Sequence, residues 1–125
     1  MKNENLSENK EIVNKYRQLL RVSKWSREKG DITIIRKAFE KAMKSHNQMR
    51  RKSGEPYIYH PIAVARIAAE EIGLGTTSIV CALLHDVVED TDVTIEEIQK
   101  EFGHKEANII DGLTKISGVY DTHSP

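Results

Sequence analysis

A single cysteine among 125 residues excludes an intrachain disulfide and a zinc site built on thiolates. That residue, Cys81, lies inside the apolar run Ser78-Ile79-Val80-Cys81-Ala82-Leu83-Leu84, where a small core side chain is expected. No apolar run approaches the length needed to span a bilayer, and Met1-Lys2-Asn3-Glu4-Asn5 lacks the apolar stretch of a secretory signal. An excess of charge of either sign is also missing, since 19 basic and 19 acidic residues cancel formally. No global field therefore points to nucleic acid or a membrane surface. The expected setting is a reducing cytoplasm, with neither DNA nor membrane as a partner. No stretch reads as a strand, and there is no internal repeat or low-complexity linker. The hydrophobic fraction of 38% is modest and the charged fraction of 30% is substantial. That balance suits amphipathic helices with solvated faces.

What the chain does contain is helical periodicity. After a polar start expected to fray over residues 1–8, Ile12, Val13, Tyr16, Leu19 and Leu20 keep helical spacing between Ser7 and Lys29. Trp25 falls near the end of this segment, and Gly30 can stop it. Residues 1–30 thus form an N-terminal packing helix, and residues 31–125 the domain proper. Asp31 suits the N-cap of a second helix. Its stripe is Ile32, Ile35, Ala38, Phe39, Ala42, Met43 and His46, with His46 read as a structural residue. Gly54 and Pro56 then break the pattern. The resulting loop carries Arg50, Arg51 and Lys52, the hydroxyl of Ser53, and Tyr57 and Tyr59. It could grip phosphate groups, and an Arg guanidinium can stack on a base; taken alone, a solvated basic turn accounts for it better. Pro61 opens a third helix, with His60 at its start. This helix runs to about Ile72 and is closed by Gly73 and Gly75. Thr76 or Thr77 caps a fourth, which ends near Asp90-Thr91. Thr94-Ile95-Glu96-Glu97 is a capping box for a fifth helix stopping at Phe102-Gly103. A sixth spans roughly Lys105 to Ile116, with Ile109, Ile110 and Leu113 expected inward. The predicted fold is all-α, about five to six helices.

Chemistry concentrates at the end of the fourth helix, in Leu83-Leu84-His85-Asp86-Val87-Val88-Glu89-Asp90. With His85 at the origin of a helical wheel, Glu89 falls at about 40°, Asp86 at about 100° and Asp90 at about 140°. Val80, Cys81, Leu84, Val87 and Val88 take the opposite arc. A largely buried helix emerging into a polar pocket is expected. Three carboxylates at a helix C-terminus are disfavoured by the dipole and by one another. A divalent cation would offset this, and adjacent His-Asp offers it one nitrogen and one oxygen ligand. An exposed helix end with solvated acids explains the cluster about as well.

With these parts placed, the chain resembles the HD superfamily of metal-dependent phosphohydrolases. Three stretches sharpen the match: Arg51-Lys52-Ser53-Gly54-Glu55-Pro56-Tyr57-Ile58-Tyr59-His60-Pro61, His85-Asp86-Val87-Val88-Glu89-Asp90-Thr91 and Asp111-Gly112-Leu113-Thr114-Lys115. Together they are similar to the hydrolase domain of the RelA/SpoT family, whose members make and degrade guanosine tetra- and pentaphosphate. The resemblance covers roughly residues 30–117. It implies an HD-domain helical bundle. It also implies that His60, His85 and Asp86 are ligands of a Mn²⁺ ion, and that Glu89 and Asp90 orient and deprotonate the attacking water. Arg51, Lys52 and Ser53 would hold the guanine nucleotide, with Arg51 near the base, and Lys115 would lie near phosphate. The implied reaction removes the 3′-pyrophosphate, and the parent enzyme would also be a GTP pyrophosphokinase.

The chain departs from that pattern in one respect. The family's fourth metal ligand is an Asp in a stretch resembling Ala-Asp-Arg-x-His-Asn, which does not occur here. The sequence is therefore expected to be the N-terminal part of a longer enzyme, a partial HD phosphohydrolase domain incomplete at its C-terminal end. Such a piece would be weakly active or inactive and prone to self-association through uncovered apolar surface. Two other readings stay open: an HD phosphohydrolase for another nucleotide, and a non-catalytic nucleotide-binding regulatory module.

Overall fold

In the computed structural model the apolar stripes become six helices: α1 (Lys2–Val22), α2 (Asp31–Ser45), α3 (Tyr59–Glu70), α4 (Thr76–Asp90), α5 (Ile95–Phe102) and α6 (His104–His123). The structure describes the backbone of residues 2–24, 28–70 and 75–123, and the side chains of 7–24, 28–70 and 75–115. Trp25, Ile72 and Gly73 lie outside the described residues. Among the described residues there is no strand, only an isolated antiparallel bridge between Arg50 and Pro56, and no helix long and apolar enough to cross a membrane.

The helix α4 is the hub. It packs on α2, α3 and α6, while α1 lies against α3 and α5 against α6. Ile79, Val80, Cys81, Leu83, Leu84 and Val87 of α4 are all buried, on nearly every side of the helix. Leu19, Ile35, Ala38, Ala42, Ile62, Ala65, Ile98 and Ile110 close the core around them. Glu89 and Asp90, at the end of α4, are exposed. The apolar run is therefore a central helix, and its last turn reaches the surface with its acids.

Several element ends differ from their sequence expectation. The first helix begins at Lys2, inside the stretch expected to fray. It ends at Val22, well before Lys29. There the Ser23 hydroxyl donates to the Leu20 carbonyl at 3.1 Å, occupying an acceptor that further helix would use. Asp31 is not the N-cap of α2; Gly30 is, at φ 92°. The Asp31 carboxylate instead accepts from the Glu28 amide at 2.7 Å and from the Thr76 hydroxyl at 2.9 Å. It thus ties the start of α2 to the start of α4. Thr76 is likewise not a cap, and Gly75 holds that position. The Thr94 cap is as expected, its hydroxyl accepting from the Glu97 amide at 3.2 Å. The third helix starts at Tyr59, two residues before Pro61, so His60 sits in its first turn.

Not every stripe residue is inside. Ile32 and Ile67 are exposed. On α6, Ile110 is fully buried, but Ile109 and Leu113 are 40% and 38% exposed. The reason is that α4 and α5 cover only the edge of α6 that carries Ala107 and Ile110. Position 109 is turned by about 100° from that edge.

Candidate metal centre

The loop between α2 and α3 is built by its own backbone. The Met49 amide donates to the His46 carbonyl and the Tyr57 amide to the Met49 carbonyl, each at 2.9 Å. Inside that frame the Arg51 amide donates to the Glu55 carbonyl at 3.0 Å, and the Gly54 amide to the Arg51 carbonyl at 2.8 Å. Gly54 has φ 94°, a conformation that glycine adopts without a Cβ clash. A two-pronged ion pair from Arg50 to Glu8, 2.8 Å on each oxygen, fastens the loop to α1. Arg51, Lys52 and Ser53 stand exposed at the tip. They line one open pocket together with Glu55 and Tyr57.

The loop delivers His60 to α4. Its Nε2 lies 3.5 Å from Asp86 Oδ2, and its Nδ1 is 3.2 Å from an Arg51 guanidinium nitrogen. On the other side of Asp86, His85 Nε2 is 3.0 Å from Oδ1 and 3.8 Å from Glu89 Oε2. Donor atoms of His85, Asp86 and Glu89 all lie within 4.8 Å of one another. The expected set His60, His85 and Asp86 is thus brought together around one carboxylate, with Glu89 alongside. Asp90 faces back to the loop and accepts from the Tyr57 hydroxyl at 2.9 Å. Lys115 is not joined to this cluster by any described contact. It is exposed on α6 and pairs with Asp111 on the same helix at 3.0 Å.

Asp86 is the centre of the electrostatics, at 6% exposure. Burial pushes its carboxyl upward, but the hydrogen bond from His85 and the charges of His85 and His60 outweigh that and hold it below the usual carboxylate range. The same hydrogen bond raises His85 above the ordinary imidazole value against the effect of burial. The nearby Ala82 carbonyl and the Glu89 charge raise it further.

Oδ2 of Asp86 is buried without a hydrogen-bond partner. An unpaired carboxylate oxygen out of water is strongly destabilising unless something positive meets it. With two imidazole nitrogens within 3.5 Å of this carboxylate, the donor set suits a transition-metal dication that takes nitrogen and oxygen ligands. The residues present therefore fit such an ion.

Two neighbours of the cluster have no role of their own in the sequence. Tyr57 joins α4 to the loop across 33 residues, and spacing along a chain says nothing about such a contact. His46, a structural residue by its place on the apolar stripe, is buried at 3% exposure. Its ring, however, packs tilted against Tyr57, 4.6 Å between centroids with 37° between the planes, and neither nitrogen has a hydrogen-bond partner.

The family model of the HD domain matches residues 38–124. The chain is 47% identical over 91 residues to a probable GTP pyrophosphokinase of Mycobacterium leprae, across 73% of this chain and 11% of that protein. It is 46% identical over 85 residues to a guanosine-3′,5′-bis(diphosphate) 3′-pyrophosphohydrolase of Aquifex aeolicus, across 68% of this chain and 12% of that protein. A probable enzyme of the latter name in Synechocystis is 49% identical over 84 residues, across 67% of this chain and 11% of that protein. These names bear out the resemblance drawn from the three sequence motifs. The chain spans about a tenth of the length of these relatives.

Proposed function

The chain belongs to the HD-domain family, and on that premise we propose that it carries the catalytic motifs of a Mn²⁺-dependent 3′-pyrophosphohydrolase acting on guanosine tetra- and pentaphosphate in the cytoplasm. The observation that carries the reading is the buried Oδ2 of Asp86, which accepts no hydrogen bond, with His60 3.5 Å away and His85 on the other oxygen. His60, His85 and Asp86 would hold the cation. When bound, the ion supplies Lewis-acid polarisation of a phosphoryl oxygen and lowers the pKa of water. Glu89 and Asp90, exposed beside the cluster, orient the attacking water and accept its proton. Arg51, Lys52 and Ser53 hold the nucleotide from the loop tip, Arg51 by stacking on the base and the other two by meeting phosphate charge. Lys115 would reach a phosphate only on leaving its Asp111 partner. Attack at phosphorus then breaks the bond to the 3′-oxygen, leaving GDP or GTP and pyrophosphate. The described residues contribute one buried aspartate to the ion and no fourth family ligand, so turnover by these 125 residues alone is expected to be slow.

The test measures pyrophosphate release from a panel of nucleotides with saturating Mn²⁺, for the wild-type chain and for Glu89→Gln. Release from guanosine tetraphosphate, about a hundredfold slower in the variant at unchanged Mn²⁺ affinity, is expected. Loss of Mn²⁺ affinity in Glu89→Gln would make Glu89 a ligand. Preferential release from another nucleotide would replace the substrate. Metal and nucleotide binding without any release would make this a binding module.

A further inference from the structure

We propose that Tyr57 is a positioning residue for this hydrolysis: its hydroxyl holds Asp90 in a single rotamer, with one carboxylate oxygen left open to the attacking water, and His46 holds the Tyr57 ring. The inference rests on the hydrolase reading for its purpose but on separate contacts for its geometry. Asp90 is exposed at the end of α4, where an untethered side chain would sample several rotamers. The Tyr57 hydroxyl donates to Asp90 Oδ2 at 2.9 Å. That bond occupies one oxygen and leaves Oδ1 available.

The phenol is itself held from three sides. The His46 ring packs tilted against it at 4.6 Å and the His60 ring meets it edge-on at 6.2 Å, while its own amide donates to the Met49 carbonyl at 2.9 Å. Tyr57 therefore ties the loop to the C-cap of α2, to α3 and to α4 at once. Burial and the hydrogen bond to Asp90 push the phenol well above its ordinary value, with the charge of Asp86 adding to them. As the donor of the bond to Asp90 it is assigned to positioning rather than to proton transfer. His46, lowered chiefly by burial, supports it as a neutral ring.

The assignment separates positioning from chemistry. A tethered Asp90 reaches the water in one geometry, and a small loss of alignment at a reacting centre is expensive. The nucleotide is held from the loop tip, so its binding should not depend on the tether.

The experiment uses Tyr57→Phe, which keeps the ring on His46 and removes only the oxygen. Three-bond carbon and nitrogen couplings report the χ1 rotamer of Asp90 without any turnover. One dominant rotamer in the wild-type chain and averaging in Tyr57→Phe are expected; a single rotamer in both overturns the proposal. Pyrophosphate release gives the second arm. Tyr57→Phe should lower kcat about tenfold with KM within about twofold. In an Asp90→Asn background the same substitution should have little further effect, because the tyrosine acts through that carboxylate. Full additivity of the two substitutions, or a rise in KM in place of the fall in kcat, also overturns it. A wild-type chain that binds Mn²⁺ and nucleotide but releases no pyrophosphate sinks the hydrolase reading alone, and the rotamer arm still decides the tether.

Discussion

At the scale of single residues, burial decides most of the chemistry. Cys81, placed in the core by its apolar neighbours, is 3% exposed, and burial pushes its thiol up to about 11. It is a packing residue at neutral pH. His46 shows the same force acting on a base. Burial lowers its pKa, while Asp86 and Asp90 pull upward and His60 and His85 push down. A base whose folded value is depressed binds its proton more tightly in the unfolded chain. Its neutral form therefore supports the fold fully above the ordinary value of 6.5 and progressively less as pH falls below it. His85, raised in the folded chain, contributes in the opposite sense: its support is complete below the ordinary value and is lost as pH rises through the folded one. The two are separated by a variant. His46→Leu should lose less thermal stability than wild type between about pH 7 and pH 5, with His85 common to both. Parallel Tm curves for the two proteins would show that His46 carries no such linkage.

At the scale of helices, capping and crossing geometry determine where each element starts. Thr94 was legible as a cap because the Thr-x-x-Glu pattern is local, and its hydroxyl does accept from the Glu97 amide. Thr94→Ala should cost about 1 kcal/mol, seen as a lower urea midpoint at an unchanged m-value. A change below about 0.3 kcal/mol would mean that α5 is held by its partners alone. Those partners are substantial: Lys41 of α2 pairs with both Glu97 and Glu101, and Lys37 donates to the Glu101 carbonyl at 2.6 Å. Asp31 shows the limit of local signals. Its residue type and position predict a cap, but Thr76 lies within 2.9 Å and the carboxylate bonds there.

For the whole molecule, four segments meet at one point. The α2–α3 loop brings the basic tip and Tyr57, α3 brings His60, α4 brings His85 through Asp90, and the C-cap of α2 brings His46 against Tyr57. A cation that binds the folded arrangement and not the unfolded chain stabilises by mass action. At a concentration about a hundred times its Kd, Mn²⁺ should add about 2.7 kcal/mol, or roughly 10 °C in Tm. His85→Ala should abolish that increment. An increment that survives in the variant would place the ion elsewhere. The effect should weaken in acid, since protons compete for the imidazoles and His85 holds its proton more tightly than usual.

The sequence by itself determined the helical class, the central place of α4, the basic loop and the crowding of His85, Asp86, Glu89 and Asp90 within six residues. All of these depend on neighbours a few positions apart, where helical period and residue type carry the information. Only the tertiary structure decided which outward acid is tethered, by a tyrosine 33 residues away. It alone set His60 against Asp86, left Ile109 and Leu113 uncovered, and turned Asp31 from cap to cross-link. These follow from how the helices cross. Two side chains distant in sequence meet only when the packing of buried stripes fixes both the angle and the rotation of their helices, and periodicity along one helix holds neither quantity.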